Sequence, residues 1–174
     1  MSLQDKIKNY FYHRRIHQLL LQRGSQVVLP INQSYDIGVL FHYENVEELQ
    51  TVLAFSNWLN KRDRTVQILC YCPLKKYQEP GQIHLITPKD VNWLSIPKQK
   101  EVFDFCNAKF DLLINMDQKS QKTLEFIASI SKAAFKLGLS SSFFQVYDVL
   151  LELPMDNASK KIEEIKKLVQ YISQ

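Results

Sequence analysis

The amino-acid sequence predicts an α/β domain in three layers, built on a central, mostly parallel sheet of about five strands. Three observations carry that expectation. Short apolar runs such as Ile37-Gly38-Val39-Leu40-Phe41 lack polar alternation, as strands covered on both faces do. These runs alternate with segments whose apolar residues recur at helical spacing. Alternation of the two requires crossover connections, and crossovers over a parallel sheet lay helices on its faces.

The elements follow in order. From Asp5 to Gln22, the residues Ile7, Tyr10, Phe11, Ile16, Leu19 and Leu20 recur at roughly helical spacing between cations, and Gly24 ends the run. Residues 1–24 are therefore read as a basic amphipathic N-terminal helix, docked or detached, and residues 25–174 as a single α/β domain. Val27 to Ile31 is a short extended piece containing Pro30. The first central strand is Ile37 to Phe41. Asn45 followed by Glu48 forms a capping box that opens a helix with Leu49, Val52, Leu53 and Leu59 on one side. This helix ends in the charged turn Lys61-Arg62-Asp63-Arg64, and Val66 to Cys72 is a second strand stopped by Pro73. Strand, helix and strand at this spacing make a right-handed crossover.

Between Leu74 and Lys100 the chain is punctuated by Pro80-Gly81, Pro88 and Pro97. It offers two extended pieces, Ile83 to Ile86 and Val91 to Ile96, as edge strands or a flap. Glu101 to Lys109 is a short helix carrying Val102, Phe103 and Phe105. Phe110 to Asn115 is a buried strand, followed by a helical stretch from Lys119 to Leu137 with Leu124, Ile127, Ile130, Ala134 and Leu137 on its periodic face and Gly138 at its end. Gln145 to Leu153 reads as the last strand. Asn157 or Ser159 caps a final helix with Ile162, Ile165, Leu168, Val169 and Ile172 on one face. The pattern fits a Rossmann-like or flavodoxin-like sheet.

Bulk properties narrow the partners. The chain of 174 residues is long enough for one real core and short for two. Its formal net charge of +4 is localised, because residues 1–24 hold Lys6, Lys8, Arg14, Arg15 and Arg23 against Asp5 alone, which accounts for the whole excess. Such a cluster admits contact with phosphates, nucleic acid or an anionic surface. Leu19-Leu20-Leu21 is too short for a secretory signal, and no run approaches the ~20 apolar residues of a membrane span. A cytoplasmic protein is expected. Cys70, Cys72 and Cys106 are too few and odd in number for a disulfide framework, which agrees with that compartment.

Ligands of open α/β sheets sit beyond the C-terminal ends of the strands, where helix N-termini also converge. The tips to inspect are His42-Tyr43-Glu44-Asn45, Cys72-Pro73-Leu74-Lys75, Asn115-Met116-Asp117 and Glu152. His42, Glu44, Lys75, Asn115 and Asp117 are the candidate ligand-binding residues, against the plainer reading that they form turns and caps. Asp117, placed just before a helix, would cap it or hold a ribose hydroxyl, and would repel a phosphate. Cys70 and Cys72 share one face of a strand, yet no further close pair of ligands accompanies them, so core cysteines are expected and no metal site. Cys72 would need His42 on a neighbouring tip to become a nucleophile. The chain has only Gly24, Gly38, Gly81 and Gly138, with no glycine-rich phosphate loop, so no NAD or ATP cofactor is expected. No catalytic residue is assigned.

The strand Phe110-Asp111-Leu112-Leu113-Ile114-Asn115, the stretch Ile127-Ala128-Ser129-Ile130-Ser131-Lys132-Ala133-Ala134-Phe135-Lys136-Leu137-Gly138 and the upstream Val91-Asn92-Trp93-Leu94 resemble a family of short bacterial proteins of unknown function, with patterns of the form FDLLI, L-S-K-A-x-F-K-x-G and LNW. The resemblance implies no activity. It implies that Ser131, Lys132, Phe135, Lys136, Gly138, Asp111 and Trp93 belong to a shared pattern. Lys132 and Lys136, one helical turn apart on the expected helix, are candidate anion-binding residues, with a solvated cationic edge as the alternative.

The expected function is a non-catalytic binding or interaction module, a candidate homodimer with a degenerate cleft at the strand tips. The alternatives are an enzyme acting on a nucleotide-sugar or other small phosphorylated ligand, and RNA or ribosome binding through the N-terminal helix. In that helix His13, Arg14, Arg15 and His17 interleave with Tyr10, Phe11 and Tyr12, although packing of its apolar side is the favoured role and nucleic acid is not.

Overall fold

The structure, a computed structural model, describes residues 2–21, 36–60, 64–74, 83–140, 143–152 and 158–171. In chain order the elements are α1 (Leu3–Leu21), β1 (Asp36–His42), α2 (Val46–Asn60), β2 (Thr65–Tyr71), β3 (His84–Ile86), α3 (Lys100–Asn107), β4 (Leu112–Asn115), α4 (Lys122–Ile130), β5 (Phe135–Gly138), a 3₁₀ turn at Phe144–Val146, β6 (Val149–Leu150) and α5 (Ala158–Tyr171). The six strands form one sheet in the order β3-β2-β1-β4-β5-β6, and every pairing is parallel. This three-layer α/β architecture is the one expected, with one strand more. Of the two arrangements anticipated, the order is that of Rossmann sheets and not of flavodoxin.

The uninterrupted apolar runs are explained by what covers each face. Along β1, Ile37, Val39 and Phe41 join one core with Leu49, Val52, Phe55 and Leu59 of α2 and Ile162, Ile165 and Val169 of α5. Leu40 of the same strand joins the opposite core, with Tyr12 and Ile16 of α1, Val102 and Phe105 of α3, and Leu124, Ile127 and Ala128 of α4. Period-2 alternation thus distributes apolar side chains to two buried faces. Gly38 is required by close approach, since a Cβ there would lie 2.9 Å from Leu113 Cδ1 and from the Phe110 ring.

The N-terminal helix is docked. Tyr12 and Ile16 are buried, and the Tyr12 hydroxyl donates to the Lys122 carbonyl at 2.6 Å. Burying such side chains contributes roughly 1.5–3 kcal/mol each, more than an exposed charge pair on the helix surface could. Asn45 caps α2 as expected, its Oδ1 accepting from Glu48 N at 2.8 Å. Cys70, Cys72 and Cys106 are unpaired and buried. No described helix is long and apolar enough to cross a membrane.

Three expectations are corrected. The helix expected from Lys119 to Leu137 stops at Ile130, and Phe135–Gly138 is a strand on the edge of β4. After Ser131 the backbone donates to α3 and to the residues that lead into β4 instead of to its own helix: Lys132 N to Cys106 O, Ala134 N to Phe110 O and Phe135 N to Asp111 O. Val91 to Ile96 is a loop closed by a lone Val91–Pro97 bridge, because Asn92 Oδ1 takes the Leu94 and Ile96 N–H groups and Ser95 adopts a φ of 66°. Gln145 to Leu153 shrinks to the two-residue β6 preceded by the 3₁₀ turn. The expected pieces at Val27 to Ile31, Lys61 to Asp63 and Pro80-Gly81, and the caps Gly24 and Asn157, lie outside the described residues.

Candidate functional site

From β1 the chain moves outward to β2 and β3, then returns through α3 to β4 on the other side of β1. The strand order therefore reverses between β1 and β4, which is where doubly wound sheets open a crevice. The tips that meet there are His42 of β1 and Asn115, Met116 and Asp117 of β4.

The floor of this crevice is closed by its own hydrogen bonds. Asn115 is fully buried; its amide donates to the Tyr147 hydroxyl at 2.6 Å and its Oδ1 accepts from Asp117 N at 3.2 Å. Asp117, also buried, accepts from Lys119 N at 3.1 Å and Gln121 N at 2.5 Å, across a turn in which Ser120 has a φ of 51°. Gln121 is the N-cap of α4, its Oε1 accepting from Thr123 N and Leu124 N. The donors that a helix N-terminus would offer to an anion are thus taken by a carboxylate and an amide of the chain itself. Burial raises the Tyr147 phenol well above its ordinary value, so it remains protonated.

Around the mouth the charge is mixed. Glu44 pairs with Lys119 at 2.7 Å, and this partner raises the ammonium pKa. Burial, then the neighbouring Glu44, raises Glu48 above the usual carboxylate range. With Asp117 these carboxylates outnumber Lys119, so the field opposes a phosphate. His42 stands at the centre. Its side chain is 15% exposed, its Nδ1 lies 3.6 Å from Asp117 Oδ1, and its ring meets Tyr71 edge-on at 5.8 Å. Neither ring nitrogen makes a hydrogen bond among the described residues.

Of the residues read from the sequence, His42, Glu44, Asn115 and Asp117 meet at this crevice, while Lys75 lies outside the described residues. The one-turn spacing between Lys132 and Lys136 does not hold. Lys132 is exposed on the connection after α4, whereas Lys136 is on β5, buried, with its Nζ donating to the Ala128 carbonyl at 2.8 Å. Its charge serves the C-terminal end of α4, where carbonyls are short of donors. Cys72 is buried and its thiol pKa is raised by that burial, which works against a nucleophilic role. Sequence reasoning missed Gln121 and Tyr147. Gln is outside the usual capping set, and Tyr147 is 32 residues from Asn115.

A second region has the opposite character. The outer side of α1 exposes Tyr10 at 62% and Phe11 at 45%, and the exposed Trp93 meets Phe11 edge-on at 6.2 Å. On the other flank a cleft of about 520 Å³ is lined by Tyr10, His13, Arg14, His17, Leu20 and Phe143. A larger depression of about 790 Å³ lies at the sheet edge, between α2 and α3 at the starts of β2 and β3. Among the described residues, no group of three or more His, Cys, Asp or Glu could hold a metal ion.

No curated protein and no solved structure matches the chain. A family model described as a family of unknown function (DUF6913) matches residues 8–172, nearly the full length. The chain therefore belongs to the DUF6913 family.

Proposed function

We propose that this protein is a non-catalytic binding or interaction module. The observation that supports this reading is the self-occupied switch-point crevice: Asp117 and Gln121 take the N–H groups that an anionic ligand would use. The acidic mouth adds to it, since Glu44, Glu48 and Asp117 oppose phosphorylated metabolites. A cytoplasmic setting agrees with three unpaired, buried cysteines.

One observation favours the enzymatic alternative, namely His42 with both ring nitrogens unbonded beside Asp117. A thermal-shift screen of the purified protein against nucleotides, nucleotide-sugars, sugar phosphates and divalent cations separates the two, because a ligand of the native state raises the midpoint by mass action. The module reading expects no shift. A saturable shift that disappears in His42→Ala overturns it in favour of a working crevice.

A further inference from the structure

We infer that the solvent-facing side of α1, flanked by Trp93 and Phe143, binds single-stranded nucleic acid. The inference deepens the module reading by naming the partner class. It starts from the docked helix. Tyr12 and Ile16 hold α1 to the body, so its outer side chains stand on a fixed platform. That platform presents flat rings: Tyr10 is 62% exposed, Phe11 45% and Trp93 61%, with Phe144 nearby in sequence to Phe143 and 68% exposed. Exposed rings of this kind stack bases without regard to sequence.

The cations run through the same surface. Lys6, Arg14 and Arg15 are exposed and Lys8 is half-buried, whereas the single acidic residue of α1, Asp5, is engaged by the N–H and hydroxyl of Ser2. Lys6, Lys8, Arg14 and Arg15 against Asp5 give α1 a formal charge of +3, while the formal charges of residues 25–174 balance. The cleft of about 520 Å³ beside Arg14 has the size of a small-ligand site, and His13 already lies against Phe143 with ring centroids 4.7 Å apart. Tyr10, Phe143 and Arg14 in the cleft, with Phe11, Trp93 and Arg15 elsewhere on α1 and beside it, match a chain of stacked bases on a phosphate backbone.

Other occupants fit less well. Protein interfaces concentrate aromatics in a core depleted of charge, and here the cations are interleaved with the rings. A second copy related by a two-fold axis would bring like charges together. A membrane surface would take the apolar stripe of the helix, and Tyr12 and Ile16 on that stripe are turned into the body.

The test is fluorescence anisotropy of a labelled single-stranded RNA of about 12 nucleotides, titrated with the intact chain at about 50 and 200 mM salt. Saturable binding is expected, weakening roughly 20- to 50-fold over that range for three or four phosphates contacted. Tyr10→Ala is expected to weaken it by roughly fivefold or more, from one lost stacking contact, with unchanged circular dichroism. Arg14→Glu with Arg15→Glu is expected to abolish it, while Lys167→Glu on α5 leaves it intact. Absence of binding at the lower salt overturns the inference. So does duplex RNA or heparin bound as tightly and indifferent to Tyr10→Ala, which is plain polyanion attraction, and so does preference for phosphatidylserine vesicles. If RNA binding fails and the metabolite screen is also flat, the module reading stands with a different partner. If RNA binds and a metabolite also shifts the midpoint, the non-catalytic reading alone falls.

Discussion

The switch-point crevice and the outer face of α1 are opposites. At the crevice, Asn115, Asp117, Gln121 and Tyr147 are polar groups that spend their hydrogen bonds on one another. On α1, Tyr10, Phe11 and the arginines face water. A fold that usually binds at its strand tips has here used those tips to hold itself together, and its open aromatic and cationic surface lies on a helix ahead of the first strand. Fold position alone does not assign a function to either region.

Removing an acceptor from the crevice tests its structural role most severely. Asp117→Ala should leave Lys119 N and Gln121 N without their partner in a partly buried turn, a cost of about 1–3 kcal/mol. A lower urea midpoint at unchanged slope is the expected readout; a neutral effect would mean that the turn is not held by this carboxylate. Gly38→Ala, in the layer beneath, should cost about 1–3 kcal/mol through overpacking, since its Cβ would meet Phe110 and Leu113 at 2.9 Å. Unaltered thermal unfolding would show that this layer yields easily.

The comparison is sharpened at the α1 docking bond. Tyr12→Phe deletes the hydrogen bond to the Lys122 carbonyl and should cost about 1 kcal/mol, seen as faster amide exchange confined to α1. Uniform loss of protection would instead make α1 part of one cooperative unit with the sheet. Glu48→Gln is the mildest test. The native carboxyl pKa is raised by burial and then by Glu44, so the native state favours its protonated form. The wild type should match the variant at pH below the ordinary glutamate value, lose stability relative to it as pH rises through the raised value, and remain the less stable above. The reverse order at neutral pH, measured by thermal unfolding, would contradict that environment.

Much of the scaffold was legible. Ile37 to Phe41 and Leu112 to Ile114 were readable because a strand buried on two faces leaves a continuous apolar run, Val66 to Cys72 was readable from its β-rich run stopped by Pro73, and the tips of β1 and β4 named His42, Asn115 and Asp117. Phe135–Gly138 was not. Leu124, Ile127, Ile130, Ala134 and Leu137 keep helical spacing, while Phe135-Lys136-Leu137 also alternates as a strand does; local pattern supports both. The free edge of β4 settled the matter by offering hydrogen bonds that a longer helix would have left unmade.

What the sequence by itself determined is the alternation of strands and helices, the parallel sheet that follows from it, and the concentration of charge before residue 24. Periodicity and composition are local properties, and they survive in the chain as written. Only the tertiary structure decided that α4 ends at Ile130, that Lys136 caps it from β5, and that Tyr147 and Gln121 close the crevice. Apart from the local Gln121 cap, each of these depends on a backbone or side-chain donor finding its acceptor in a segment distant along the chain, and no local spacing records that pairing.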